Sequence, residues 1–89
     1  MKETHTINLN GMVYHIDYDA YQSLRDYMQD IELRLPMNDR QEIIADIEAR
    51  IAELFQNALF AKNIQVVNLT IVENVKTQIG APAEFGENS

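Results

Sequence analysis

Thr4-His5-Thr6-Ile7-Asn8-Leu9-Asn10-Gly11-Met12-Val13-Tyr14-His15-Ile16 alternates apolar and polar residues on either side of Asn10-Gly11. That dipeptide most readily supplies the two positive φ angles of a type I′ turn, so the segment reads as a β-hairpin. A two-residue loop sets the register: Leu9 opposes Met12, Ile7 opposes Tyr14, and His5 opposes Ile16. One face of the ribbon is then almost wholly apolar and needs a cover. The other face carries Thr6, Asn8, Val13 and His15, which suits solvent.

Downstream, either Asp17 or Asp19 can cap a helix in which Tyr21, Leu24, Tyr27, Met28, Ile31 and Leu35 recur at spacings of three and four. This first helix covers the hairpin, and Pro36 ends it by disfavouring the α conformation of the residue before. Met37-Asn38 forms a short connection. A second helix opens on Asp39 with Glu42 as a capping pair, or on Asn38 with Gln41. Its stripe of Ile43, Ile44, Ile47, Ile51, Leu54, Phe55, Ala58 and Leu59 makes it the spine of the core.

Around Lys62-Asn63 the period changes, and the β-branched run Ile64 to Leu69 is a candidate third strand beside the hairpin. Thr70-Ile71-Val72-Glu73 fits a capping box for a short third helix, which carries Val72, Val75 and Ile79 on one face and stops at Gly80. Residues 81–86 are expected to run extended or in turns with Phe85 folding back onto the core, and residues 87–89 to fray. The fold class is α+β: a hairpin packed on two long helices and a short third one. Residues 1–86 form a single domain.

Composition narrows the function classes. The hydrophobic fraction of 46% supplies a core and the charged fraction of 24% is ordinary, which argues against a disordered chain. No apolar run approaches the ~20 residues of a spanning helix, and the opening Met-Lys-Glu-Thr-His lacks the apolar core of a signal peptide. Direct membrane insertion by this segment is not expected. The absence of cysteine removes disulfides, thiolate zinc sites and cysteine nucleophiles, and the cytoplasm is the simplest location. The formal charge of -7 is concentrated before Lys62. With no Lys/Arg cluster, nucleic-acid binding is not expected.

Candidate chemical groups are few. His5 and His15 fall on opposite faces of the ribbon and have no third ligand at a sensible spacing, so no metal site is predicted. On the second helix, Glu42, Asp46, Glu48, Arg50 and Glu53 lie largely beside or opposite the isoleucine stripe. They read as a solvated acidic face and as the candidate interaction surface, together with the open edge of the hairpin. Tyr14, Tyr18, Tyr21 and Tyr27 are each expected to bury the ring and leave the hydroxyl at the boundary. Phosphate loops, nucleophile elbows and zinc helices are all missing. No catalytic residue and no cofactor are predicted.

Thr6-Ile7-Asn8-Leu9-Asn10-Gly11, His15-Ile16-Asp17-Tyr18-Asp19-Ala20-Tyr21 and Glu42 to Phe55 together resemble the cytoplasmic N-terminal region of bacterial phage shock protein C (PspC) family proteins. The ending from Val72 through Gly80-Ala81-Pro82-Ala83-Glu84-Phe85 is similar to the close of those regions. The resemblance implies a parent protein that continues past Ser89 into membrane-spanning helices. It further implies a role in envelope-stress responses exerted through protein contacts, at the cytoplasmic face of the inner membrane. It supplies no catalytic residues. The expected function is a non-enzymatic regulatory module that binds a protein partner or a second copy. The alternatives are an oligomerisation unit of the membrane protein and a small-molecule-binding domain using the tyrosines and His15.

Overall fold

In the computed structural model, which describes residues 3–82, β1 (Thr4–Leu9) and β2 (Met12–Asp17) pair antiparallel in the register that the two-residue loop dictates. Asn10 at φ 53° and Gly11 at φ 81° supply the turn. Asn8 Oδ1 accepts the Gly11 N–H at 3.1 Å and closes it. The inner face of the ribbon buries Leu9, Tyr14 and Ile16, while Thr6, Asn8, Val13 and His15 face outward. Met12 lies on the inner side at the end of the ribbon and stays 43% exposed, so the cover stops short of it.

α1 (Tyr18–Arg34) starts directly after β2 with Asp17 at the N-cap position, and Asp19 accepts the Ala20 N–H at 2.7 Å within the first turn. It ends at Leu35, before Pro36 as expected. The turn from Pro36 carries hydrogen bonds from Asp39 N to Pro36 O and from Arg40 N to Met37 O. α2 (Arg40–Lys62) follows with Asp39 as its N-cap residue. Neither expected capping pair forms. Asp39 has φ -108° and ψ -3°, a helical backbone continuing out of the turn, and a capping side chain needs the extended backbone that swings it back over the first N–H groups. Arg40 instead ties the junction by donating to the Leu35 carbonyl at 3.1 Å.

The third strand is shorter than the sequence suggests: β3 is only Val66–Val67, parallel to β2 with His15 opposite Val66 and Ile16 opposite Val67. The run Ile64 to Leu69 is consumed from both ends. Asn63 takes the left-handed conformation at φ 55°, with Asn63 N bonded to Phe60 O and Ile64 N to Leu59 O. That is a Schellman close, and it uses Ile64 to finish α2. At the other end Asn68 caps α3 (Leu69–Ile79), its side chain accepting the Ile71 N–H at 2.9 Å. The expected box at Thr70 and Glu73 is therefore displaced by two residues, and Glu73 is drawn into another contact described below. Asn68→Ala is expected to cost about 1 kcal/mol in chemical denaturation, and Thr70→Ala within about 0.5 kcal/mol of nothing.

The sheet order is β1-β2-β3, with the helices on its inner face. α3 packs on both α1 and α2, and the largest fully buried side chains, Phe55, Ile16, Ile31, Ile51 and Ile71, come from the central strand and all three helices. The expected stripes of all three helices are buried or half-buried, with Ala20, Ala52 and Ile71 added to them. Gly80 ends α3, its N–H bonded to Lys76 O. The expectations for Phe85 and for residues 87–89 lie outside the described residues.

Candidate interaction surface

Among the described residues, one polar cluster, one aromatic cluster and one open groove present side chains to other molecules. The first cluster joins α1 to α3. Ser23 Oγ donates to Glu73 Oε2 at 2.7 Å, and Lys76 Nζ lies 2.8 Å from Ser23 Oγ and 3.2 Å from Glu73 Oε2. The Ser23 hydrogen bond, and then Lys76, hold the Glu73 carboxyl below its ordinary value of 4.5. With the serine proton directed at Glu73 and the ammonium beside a carboxylate, the arrangement acts as an interhelical clamp. Its contribution is present above the unfolded carboxyl's pKa and is lost as pH falls through the lower folded one. Glu73 is half exposed, so solvent screening leaves about a few tenths of a kcal/mol. Carbon-detected titration should place the Glu73 inflection below 4.5, and Ser23→Ala should move it back up.

The second cluster is aromatic. His5 stacks on Tyr21 with centroids 5.0 Å apart and lies tilted against Tyr18 at 4.9 Å, and the Arg25 guanidinium lies 5.8 Å from the Tyr21 centroid. His15 sits on the opposite face of the ribbon, with Nδ1 3.4 Å from Thr6 Oγ1. The four tyrosines do not share an environment. Tyr14 packs edge-on against Phe55 and donates to the Ala52 carbonyl at 3.1 Å. Burial raises its phenol pKa, with the Gln56 side chain partly opposing the rise. Tyr27 donates to the Gly80 carbonyl. The expectation of a buried ring with its hydroxyl at the boundary fails for Tyr14, whose hydroxyl is buried, and for Tyr18, whose side chain is exposed; Tyr14 ties the hairpin to α2, and Tyr27 ties α1 to the end of α3.

The acidic residues of α2 are not all on one face. At about 100° per residue, Glu42, Asp46, Arg50 and Glu53 fall within an arc of about 80°, whereas Glu48 lies on the far side of the helix. Glu48 is half-buried and the other four are exposed. Arg50 Nη1 pairs with Glu53 Oε1 at 3.1 Å. Among the described residues no ion pair engages Glu42 or Asp46.

That same arc ends in Phe60, which is absent from both the apolar stripe and the acidic face expected from sequence. Phe60 is 89% exposed, the most solvent-accessible large apolar side chain described. It borders a recess of about 470 Å³ between β2 and the end of α2, walled also by Met12, Val13, Leu59 and Ile64. Val13 is 60% exposed, so apolar surface on both walls faces solvent. A second recess of about 310 Å³ continues it toward the hairpin turn, past Ala49 and Glu53, and shares Met12, Tyr14 and Gln56 with the first. The signal was available: Phe60 stands five residues after Phe55, off the isoleucine stripe.

No family model, curated protein or solved structure matches this chain. Among the described residues no helix is long and apolar enough to cross a membrane, and no three His, Cys, Asp or Glu side chains gather where a metal ion could sit.

Proposed function

We propose that this chain is a non-enzymatic protein-interaction module, the cytoplasmic N-terminal region of a membrane protein similar to the PspC family, and that it acts in envelope-stress regulation. The residues that resemble that family, Thr6 to Gly11, His15 to Tyr21 and Glu42 to Phe55, support the family part of the reading. They fall on the hairpin, the start of α1 and α2 as far as Phe55, the part that carries the acidic face, whereas Leu59 and Phe60 of the groove lie beyond them.

The interaction part rests on one observation. Phe60 stands almost fully in water beside Met12 and Val13, on the rim of an open groove. Clustered exposed apolar side chains with a polar surround mark a protein-contact site more often than chance exposure does. A small-molecule reading has less support: Tyr14 and His15 line the first recess and Tyr27 lines another, but none of the recesses among the described residues brings Tyr14, Tyr21 and Tyr27 together.

The test is a transcriptional reporter of envelope stress driven by the parent protein in its native host. With Phe60→Ser and Glu53→Lys introduced together, the reporter response should fall while protein abundance holds. An unchanged response, or a native reading frame with no membrane-spanning stretch after Ser89, would reject the reading.

A further inference from the structure

Along the exposed arc of α2, Glu42, Asp46, Ala49, Glu53, Gln56 and Phe60 succeed one another at spacings of four and three. That is the periodicity at which one helix meets another. The row extends over about 27 Å at 1.5 Å per residue. Its second half forms one wall of the groove, with the hairpin as the other wall. Ala49 contributes almost no side chain at the middle of the row, so a second backbone can come close there. Charge and apolarity are segregated along it: carboxylates at Glu42, Asp46 and Glu53, then Phe60 with Met12 and Leu59 beyond.

We infer that the groove receives a basic amphipathic helix of a partner protein. The partner's apolar side chains would cover Phe60, Met12 and Leu59, and its lysines or arginines would run along Glu53, Asp46 and Glu42. Charge complementarity selects this occupant. The only cation on the arc, Arg50, is already held by Glu53, so Asp46 and Glu42 offer uncompensated negative charge. A second copy is a poor fit, since each chain carries a net charge of -7 and would bring a like-charged helix to the seam. An amphipathic helix laid apolar side down between two walls is a recurrent recognition mode. The inference specifies the partner class for the surface proposed above and rests on that reading.

The experiment uses three synthetic peptides against the full 89-residue chain. The first is an 18-residue leucine/lysine helix with leucine at alternating three and four spacings; the second replaces lysine with glutamate; the third keeps the lysine composition but scrambles the pattern. Fluorescence anisotropy should show saturable binding of the first alone, weakening as salt rises. Amide shifts should move at Ala49, Glu53, Gln56 and Phe60. Phe60→Ser and Asp46→Lys should each weaken binding about tenfold, about 1.4 kcal/mol, while circular dichroism confirms that both exposed sites leave the fold intact. Equal binding of the scrambled peptide, unchanged affinity in Phe60→Ser, or shifts confined to the Ser23-Glu73-Lys76 side would overturn the inference. So would sedimentation showing a dimer that Phe60→Ser dissolves. Any of these with a reporter that still fails in the doubly substituted parent protein rejects the basic helix and leaves the interaction module standing.

Discussion

Phe55→Ala is expected to remove about 3–5 kcal/mol of folding stability, while Phe60→Ala, five positions on in the same helix, changes it by less than about 0.5 kcal/mol. Phe55 is 0% exposed and meets Tyr14 edge-on at 5.6 Å, so truncation leaves a cavity between α2 and the hairpin and strips the ring partner from Tyr14. Small domains have only about 5–15 kcal/mol in total. The Phe55 variant should therefore unfold in mild denaturant, with an unchanged dependence on denaturant concentration if the native state stays compact. Phe60 has almost nothing to lose on truncation, being 89% exposed. Comparable losses for the two variants would mean that Phe60 is packed in solution, and the groove would lose its apolar rim.

Val67→Asp should be at least as damaging. Val67 is 0% exposed, lies opposite the equally buried Ile16, and belongs to a strand of two residues. A carboxylate there loses its hydration without a cation to replace it, and it either takes up a proton or expels the strand. Loss of cooperative unfolding at neutral pH is the expected outcome. Val67→Thr, which keeps the shape and adds a hydroxyl, should cost about 1–3 kcal/mol. Retention of full stability by Val67→Asp would show that β3 contributes nothing to the core.

The parts of this fold that were legible in sequence are those in which one local rule had no competitor. Asn10-Gly11 fixed the hairpin register because a two-residue loop admits one pairing. Pro36 and Gly80 ended their helices because backbone geometry left no alternative. Misreadings arose where two local preferences overlapped. The β-branched run Ile64 to Leu69 has strand propensity throughout, yet a Schellman close takes its first residue and Asn68 takes its end for a cap. Thr70-x-x-Glu73 was a valid capping box in isolation, but Asn68 lies where the chain leaves β3 in extended backbone. Ser23, fifty residues away in sequence, then gives Glu73 its partner.

The candidate surface divides along the same line. Helical spacing located Glu42, Asp46, Arg50 and Glu53, since exposure on an amphipathic helix follows from distance to the apolar stripe. Glu48 lies about 120° round the helix from Glu42, at the edge of the apolar stripe, and packing half-buries it. Phe60 lies off that stripe, and the position of the hairpin leaves it uncovered.

The parallel pairing of His15 and Ile16 with Val66 and Val67 joins the beginning of the chain to a point fifty-one residues later. On a ribosome, the hairpin and both long helices are therefore synthesised before the outer margin of β2 can be sealed. Until Val67 emerges, Ile16 keeps an open flank. A nascent chain stalled near Asn63 is expected to be protease-sensitive and to recruit holdase chaperones, and one stalled beyond α3 to resist both.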